Sequence, residues 1–107
     1  MDLTVETETR ADHVVVTVAG ELDLGAAAAL RDHLAATLHS TDHLVLDLRG
    51  VRFIDSTGLK ALVATRRRAN LGGERFSLRL VAQGPVSRLL ELTGLAQAFD
   101  IDSAGAD

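Results

Sequence analysis

The segment Arg52-Phe53-Ile54-Asp55-Ser56-Thr57-Gly58-Leu59 places a carboxylate, two hydroxyls and a glycine where an apolar run gives way to a helical pattern. The first backbone N–H groups of a helix lack internal partners, and the helix dipole is positive there. A serine at that point, or a phosphate on it, is therefore well accommodated. Three roles are open for Ser56: helix N-cap, nucleophile or phosphate acceptor, with Thr57 as the alternative acceptor. Capping asks only that an oxygen accept from the N2 or N3 amide, a contact worth about 1 kcal/mol. A nucleophile asks for a base and an orienting acid, and usually sits in G-x-S-x-G, which this segment is not. His13, His33, His39 and His43 all precede it, and none lies in a nucleophile motif.

A second segment, Gly20-Glu21-Leu22-Asp23-Leu24, precedes an alanine-rich helical stretch, and Asp23 is placed to be that helix's N-cap. Gly58 is unusual in a first helical turn, where glycine costs about 0.5–1 kcal/mol relative to alanine. A tight bend would account for it. His39 and His43 flank a turn and could share a metal, but no third ligand stands at suitable spacing, so no metal site is expected.

The elements that must position these residues alternate between strand and helix. Leu3 to Thr9 and His13 to Val18 are strands by period and β-branched content, joined by a link short enough for a hairpin. Ala26 to Leu38 spaces Ala27, Leu30, Leu34 and Leu38 as a helix. The nearly continuous apolar run His43 to Leu48 suits a strand covered on both faces. The helix from Ser56 turns Leu59, Leu62 and Val63 inward and ends before Gly72-Gly73, Phe76 to Val81 is a strand, Gly84-Pro85 opens a short helix closed by Gly94, and Ala98 to Ile101 is a last strand. Such alternation implies an α/β fold with a mixed, mostly parallel sheet, right-handed β-α crossovers and an antiparallel N-terminal strand.

The 107 residues suit a single domain, 1–107, that buries roughly two-thirds of its unfolded surface, with Ser103 to Asp107 expected as a disordered tail. Three Phe and no Trp or Tyr leave the core to aliphatic residues, and the absence of Cys removes disulfide and thiolate chemistry. A net charge of −4 argues against a nucleic-acid binder. Six acids and one Arg precede residue 24, whereas Lys60, Arg66, Arg67, Arg68, Arg75 and Arg79 face only Glu74 between residues 60 and 79. The Arg triplet reads as the solvated face and end of a helix, where cations complement the dipole, rather than as a phosphate or lipid-head site. Neither a membrane span nor a signal peptide is expected.

With both polar segments in place, the chain resembles the anti-sigma factor antagonists of the STAS domain family, over about residues 3 to 102. Those domains carry a strand ending in G-E-L-D, a helix, an apolar strand, and then F-x-D-S-[ST]-G-L opening the next helix. Here Val14 to Leu24, His43 to Asp47 and Val51 to Leu62 match. The resemblance implies a STAS fold and a non-enzymatic, cytoplasmic partner switch without a cofactor. The unphosphorylated protein binds an anti-sigma factor that is also a serine kinase and so frees a sigma factor. Phosphorylation of Ser56 releases it, and a serine phosphatase resets it. Glu21, Asp23, Asp55, Thr57 and Gly58 are then the expected partner contacts, Gly58 by admitting a kinase backbone. The helix amides would accommodate the phosphate in the free chain. The resemblance also allows an accessory or scaffold role in a lipid or solute transporter or a signalling complex. It further implies a helix after the last strand, for which the residues up to Asp107 are too few. A response-regulator receiver domain is a poor fit, since Asp47 lies inside an apolar strand and Lys60 is the only lysine. Neither G-x-G-x-x-G nor a Walker sequence is present for a nucleotide enzyme.

Overall fold

The β-branched run from Val14 and the apolar run from Leu44 form the second and third strands of a five-stranded sheet in the computed structural model, which describes residues 2–102. The expected tail at Ser103 to Asp107 lies outside the described residues. In chain order the elements are β1 (Leu3–Thr9), β2 (Val14–Leu22), α1 (Leu24–Leu38), β3 (His43–Ile54), α2 (Ser56–Gly72), β4 (Arg75–Arg79), α3 (Pro85–Leu92) and β5 (Asp100–Ile101). A 3₁₀ turn, Ala96–Ala98, occupies the start of the expected last strand. The sheet runs β1-β2-β3-β4-β5, with β1 antiparallel to β2 and every other pair parallel. The mixed, mostly parallel α/β fold expected from the pattern is the one found.

Two strands are longer than expected. β2 continues beyond Val18 to Leu22, and β3 continues beyond Leu48 through Arg49 and Gly50 to Ile54. The polar residues are absorbed by irregularities in the β2–β3 pairing, between Thr17 and Ala19 and between Gly20 and Glu21, rather than ending the strand. Pairing closes again at Leu22 with Ile54, so both strands finish side by side.

The core gathers alternate strand residues under the three helices. Val14, Val16 and Val18 of β2, Leu44 and Leu46 of β3, and Leu78 of β4 meet Leu30 and Leu34 of α1, Leu62 of α2 and Leu90 of α3. Fully burying one such side chain is worth about 1.5–3 kcal/mol. Of β3, only His43 to Asp47 pairs with β4, and α3 packs against β3 as well. α2 stops as expected, with Gly73 left-handed (φ 78°) as its C-cap.

The other residues of the strands build a second face of different character: β3 is covered on both faces over Leu44 to Leu48, as expected, and polar side chains share in covering this one. Val15 and Val45 are buried there among polar groups that satisfy one another. Arg49 Nη2 meets Asp47 Oδ2 at 2.8 Å, Arg79 Nε meets Asp102 Oδ2 at 3.1 Å, and Arg75 Nε meets Asp100 Oδ2 at 2.8 Å. Burial raises the pKa of the Asp47 carboxyl, but bonds from Arg49 outweigh it and hold the group below its ordinary value.

His43 lies in this polar layer. The Ser77 hydroxyl donates to Asp100 Oδ2 (3.1 Å), leaving its oxygen to accept from His43 Nε2 at 3.0 Å. The His13 ring lies 5.8 Å from the His43 ring, centroid to centroid. Burial first, then Arg75 and His13, push the His43 pKa down against the opposing pull of Asp102 and Asp100. A histidine depressed in the folded state binds fewer protons than in the unfolded chain. Its contribution is present above the ordinary histidine pKa and is lost as pH falls. Urea midpoints should therefore drop between about pH 7.5 and 5.5, and the drop should be smaller in His43→Gln.

Candidate functional site

The paired strand ends place both polar segments at one end of the sheet. Immediately after Leu22 and Ile54, Asp23 and Asp55 each take an extended conformation, with ψ −171° and −172°, and each is an N-cap. Asp23 Oδ1 accepts from the Ala26 amide at 3.2 Å. Asp55 Oδ1 accepts from the amides of Thr57 (3.0 Å) and Gly58 (3.1 Å) and from the Thr57 hydroxyl. A weak bond from the Asp55 amide to the Leu22 carbonyl (3.4 Å) ties one loop to the other. Two helix N-termini thus open side by side, each answered by its own carboxylate.

This geometry corrects the expected capping role of Ser56. Asp55 is the cap, and Ser56 is the first residue of α2, exposed and without a hydrogen-bond partner for its hydroxyl among the described residues. The neighbouring Thr57 is half-buried and its hydroxyl is committed to Asp55. The amides expected to receive a phosphate are also committed to Asp55, so a phosphate on Ser56 would stand beside a carboxylate. That carboxyl is held below its ordinary pKa by the Thr57 hydroxyl first and then by the Gly58 amide, so it is charged at neutral pH.

Gly58 is corrected too, because it is buried rather than offered to a partner. A Cβ at this position would lie 2.6 Å from the Leu22 carbonyl oxygen, 2.8 Å from Leu22 Cγ and 2.9 Å from Ile54 Cγ1. The close approach that requires glycine is internal: it is how α2 reaches the end of β2. Glu21 is likewise engaged. Its carboxylate meets Arg52 Nη2 at 2.7 Å and accepts from the Asp2 amide at 3.1 Å, and its side chain is only 16% exposed. The Arg52 guanidinium first, then the Asp2 amide, hold its pKa low. His39 and His43 do not come together: His39 meets Arg68, and His43 meets Ser77.

Sequence reasoning missed two apolar residues that flank the serine. Leu24, at the first position of α1, is 74% exposed, and Phe53, paired with Glu21 on the sheet, is 45% exposed. Phe53 and Ile54 are adjacent apolar residues between Arg52 and Asp55, so the local sequence does not say which faces out; the irregular pairing of β3 decides that Phe53 points away from the core. Lys60 is exposed one helical turn beyond Ser56.

The two corrections separate in stability. Gly58→Ala must displace the backbone of β2 and should cost about 1–3 kcal/mol, whereas Ser56→Ala, at an exposed position that is not the cap, should stay within about 0.5 kcal/mol. Urea denaturation of the two variants measures both.

The profile of the STAS domain matches residues 4–106. The chain is 37% identical over 102 residues to the anti-sigma-F factor antagonist RsfB of Mycobacterium tuberculosis, covering 91% of this chain and 81% of the relative. It is 29% identical over 103 residues to the anti-sigma-B factor antagonist of Bacillus subtilis, covering 96% and 94%. The crystal structure of an anti-sigma factor antagonist from Mycobacterium paratuberculosis superposes with a TM-score of 0.83 at 33% identity, covering 94% of this chain and 85% of the other. The chain therefore belongs to the STAS domain family and is similar within it to the anti-sigma factor antagonists.

Proposed function

We propose that this chain is an anti-sigma factor antagonist of the partner-switching kind, a regulatory binding protein rather than an enzyme, working in the cytoplasm. With Ser56 free it binds an anti-sigma factor that is also a serine kinase, and thereby frees a sigma factor. The kinase transfers the γ-phosphoryl group of ATP to Ser56 Oγ, ADP leaves with the other two phosphates, the serine proton passes to solvent, and the complex parts. A serine phosphatase hydrolyses the phosphoserine and restores binding.

The observation that carries this reading is the exposed Ser56 hydroxyl, without a hydrogen-bond partner among the described residues, at the start of one of two helices capped side by side, with exposed Leu24 opening the other helix and exposed Phe53 three residues before Ser56. Thr57 is disfavoured as acceptor because its hydroxyl is already spent on Asp55. The apolar pair supplies area for a partner, and Asp23 and Asp55 supply fixed charge. A phosphoserine adds about −1.5 to −2 charges beside Asp55. Against a packed partner that charge must be desolvated beside the Asp55 carboxylate, with Lys60 one helical turn on, at a cost of several kcal/mol where the pairing is incomplete. In the free chain water solvates it. The penalty falls on the complex, so phosphorylation releases the partner with little change of fold. No helix among the described residues is long and apolar enough to cross a membrane.

Incubated with the cognate kinase and ATP, the chain should take up one phosphate; Ser56→Ala should abolish it, and Thr57→Val should keep it. Intact-mass and fragment spectra decide, and stoichiometric phosphate elsewhere in the wild type would sink the assignment. Calorimetric titration tests the electrostatics. Ser56→Ala should bind the kinase within about tenfold of wild type, and Ser56→Asp should bind at least about tenfold more weakly, yet less weakly than the phosphoprotein, because aspartate carries one charge. Equal affinity of the Ala and Asp variants would remove charge at residue 56 as the switch.

A further inference from the structure

α2 is 17 residues long, about 25 Å, so its far end lies well away from Ser56. Between that end and the C-terminal half of α1 runs a groove lined by Leu38 and Val63 and by His39, Arg67, Arg68 and Leu71, with one carboxylate, Glu74, also in its lining. Leu71 is 84% exposed, on a helix that otherwise buries its leucines, with Leu59 at 8% and Leu62 at 0%.

The Arg triplet on this helix follows the sequence expectation in part: Arg67 and Arg68 form a solvated face, but not the helix end. The last turn of α2 holds no basic residue, so the triplet does not complement the helix C-terminus. Arg66 turns away, donating from Nε to the Ala98 carbonyl at 2.6 Å, with its guanidinium 6.0 Å from the Phe99 ring centre. Arg67 and Arg68 remain exposed. Arg10, Arg31, Arg49, Arg52, Arg75 and Arg79 are each ion-paired with a carboxylate, whereas Arg67 and Arg68 have none within ion-pair distance among the described residues. Arg68 instead donates from Nη2 to His39 Nε2 at 2.7 Å, which adds no negative charge. Lys60, Arg66 and Arg88 also lack an ion-paired carboxylate among the described residues, but Arg67 and Arg68 are the two of this set that line the apolar groove.

We propose that this groove docks an acidic helical segment of a protein partner, one leucine or similar side chain entering beside Leu71 and its carboxylates meeting Arg67 and Arg68. Helix-in-groove recognition works in this way, with apolar anchors for affinity and complementary charge for register and on-rate. Buried Leu38 and half-buried Val63 favour a protruding side chain over a bilayer, whose flat surface would meet exposed Leu71, Arg67 and Arg68 and leave Leu38 and Val63 uncovered. The surface stands apart from Ser56, so its occupancy is independent of the phosphorylation reading.

The probe is a fluorescein-labelled synthetic helix with leucines four residues apart flanked by glutamates, titrated with the full chain by fluorescence anisotropy. Its lysine-for-glutamate counterpart and phosphatidylserine vesicles are run in parallel. The acidic peptide should bind saturably and more weakly as salt rises. Arg67→Glu/Arg68→Glu should weaken it at least about tenfold, Leu71→Ser should weaken it as well, and Phe53→Ser should leave it unchanged. Leu71→Ser alters only an exposed side chain, so it keeps the test open should the double variant misfold. The proposal is overturned by equal binding of the basic peptide, by no saturable binding of the acidic peptide up to about 1 mM, by indifference to both groove variants, or by preference for the vesicles.

Discussion

The parallel register that sets Leu22 against Ile54 is the constraint on which the rest of the site depends. Neighbouring strands lie about 4.8 Å apart, so two strands that stop at the same level deliver their next residues as neighbours. Here those residues are Asp23 and Asp55, and each starts a helix. The helices can begin so close together only because position 58 carries no Cβ: the Leu22 carbonyl fills the space a side chain would take. A slip of one residue in β3 would turn Ile54 out of the core and Phe53 into it, and would carry Asp55 and Ser56 away from the Asp23 loop. Glycine, cap and serine are thus parts of one geometric solution, and the chemistry of Ser56 is inherited from it.

Electrostatics divides the molecule along the same lines. Three of the ten arginines are spent on the open face of the sheet, where Asp47, Asp100 and Asp102 neutralise Arg49, Arg75 and Arg79 and let a polar layer cover Val15 and Val45. At the Ser56 end Asp23 and Asp55 are engaged with helix amides, so added negative charge at Ser56 stands directly beside a carboxylate, with Lys60 a full helical turn away. Charge effects between exposed groups fade over about 8 Å in physiological salt. A modification at Ser56 therefore acts on whatever is packed against that end and leaves the sheet and the groove at the far end of α2 undisturbed. Few aromatic residues and many leucines and valines suffice for this frame, because the helices pack on a single face and the core is one layer deep.

Much of this was legible in the chain itself. Strand and helix periods, the glycine and proline stops, the Asp-Ser-Thr-Gly turn into α2 and the antiparallel first hairpin are local patterns, and local sterics and hydrogen bonding decide them. The capping of α1 by Asp23 was legible for the same reason. What failed to show was whatever depends on where a strand ends. Asp55 and Ser56 are both good caps by type; the one that caps is the one that follows directly on Ile54 in extended conformation, and irregular pairing with β2 sets that point. Phe53 and Ile54 are both apolar, and the same pairing makes one exposed and the other core.

By itself, then, the sequence determined the order and type of the elements and the identity of the reactive hydroxyl's neighbourhood, since these follow from interactions within a few residues. Tertiary structure alone decided that Gly58 serves Leu22 rather than a partner, that Glu21 is held by Arg52, and that Arg66 folds onto Ala98 while Arg67 and Arg68 stay open. In each case the partner is more than thirty residues away in the chain, and no period or propensity encodes which distant carbonyl or charge the folded sheet will bring alongside.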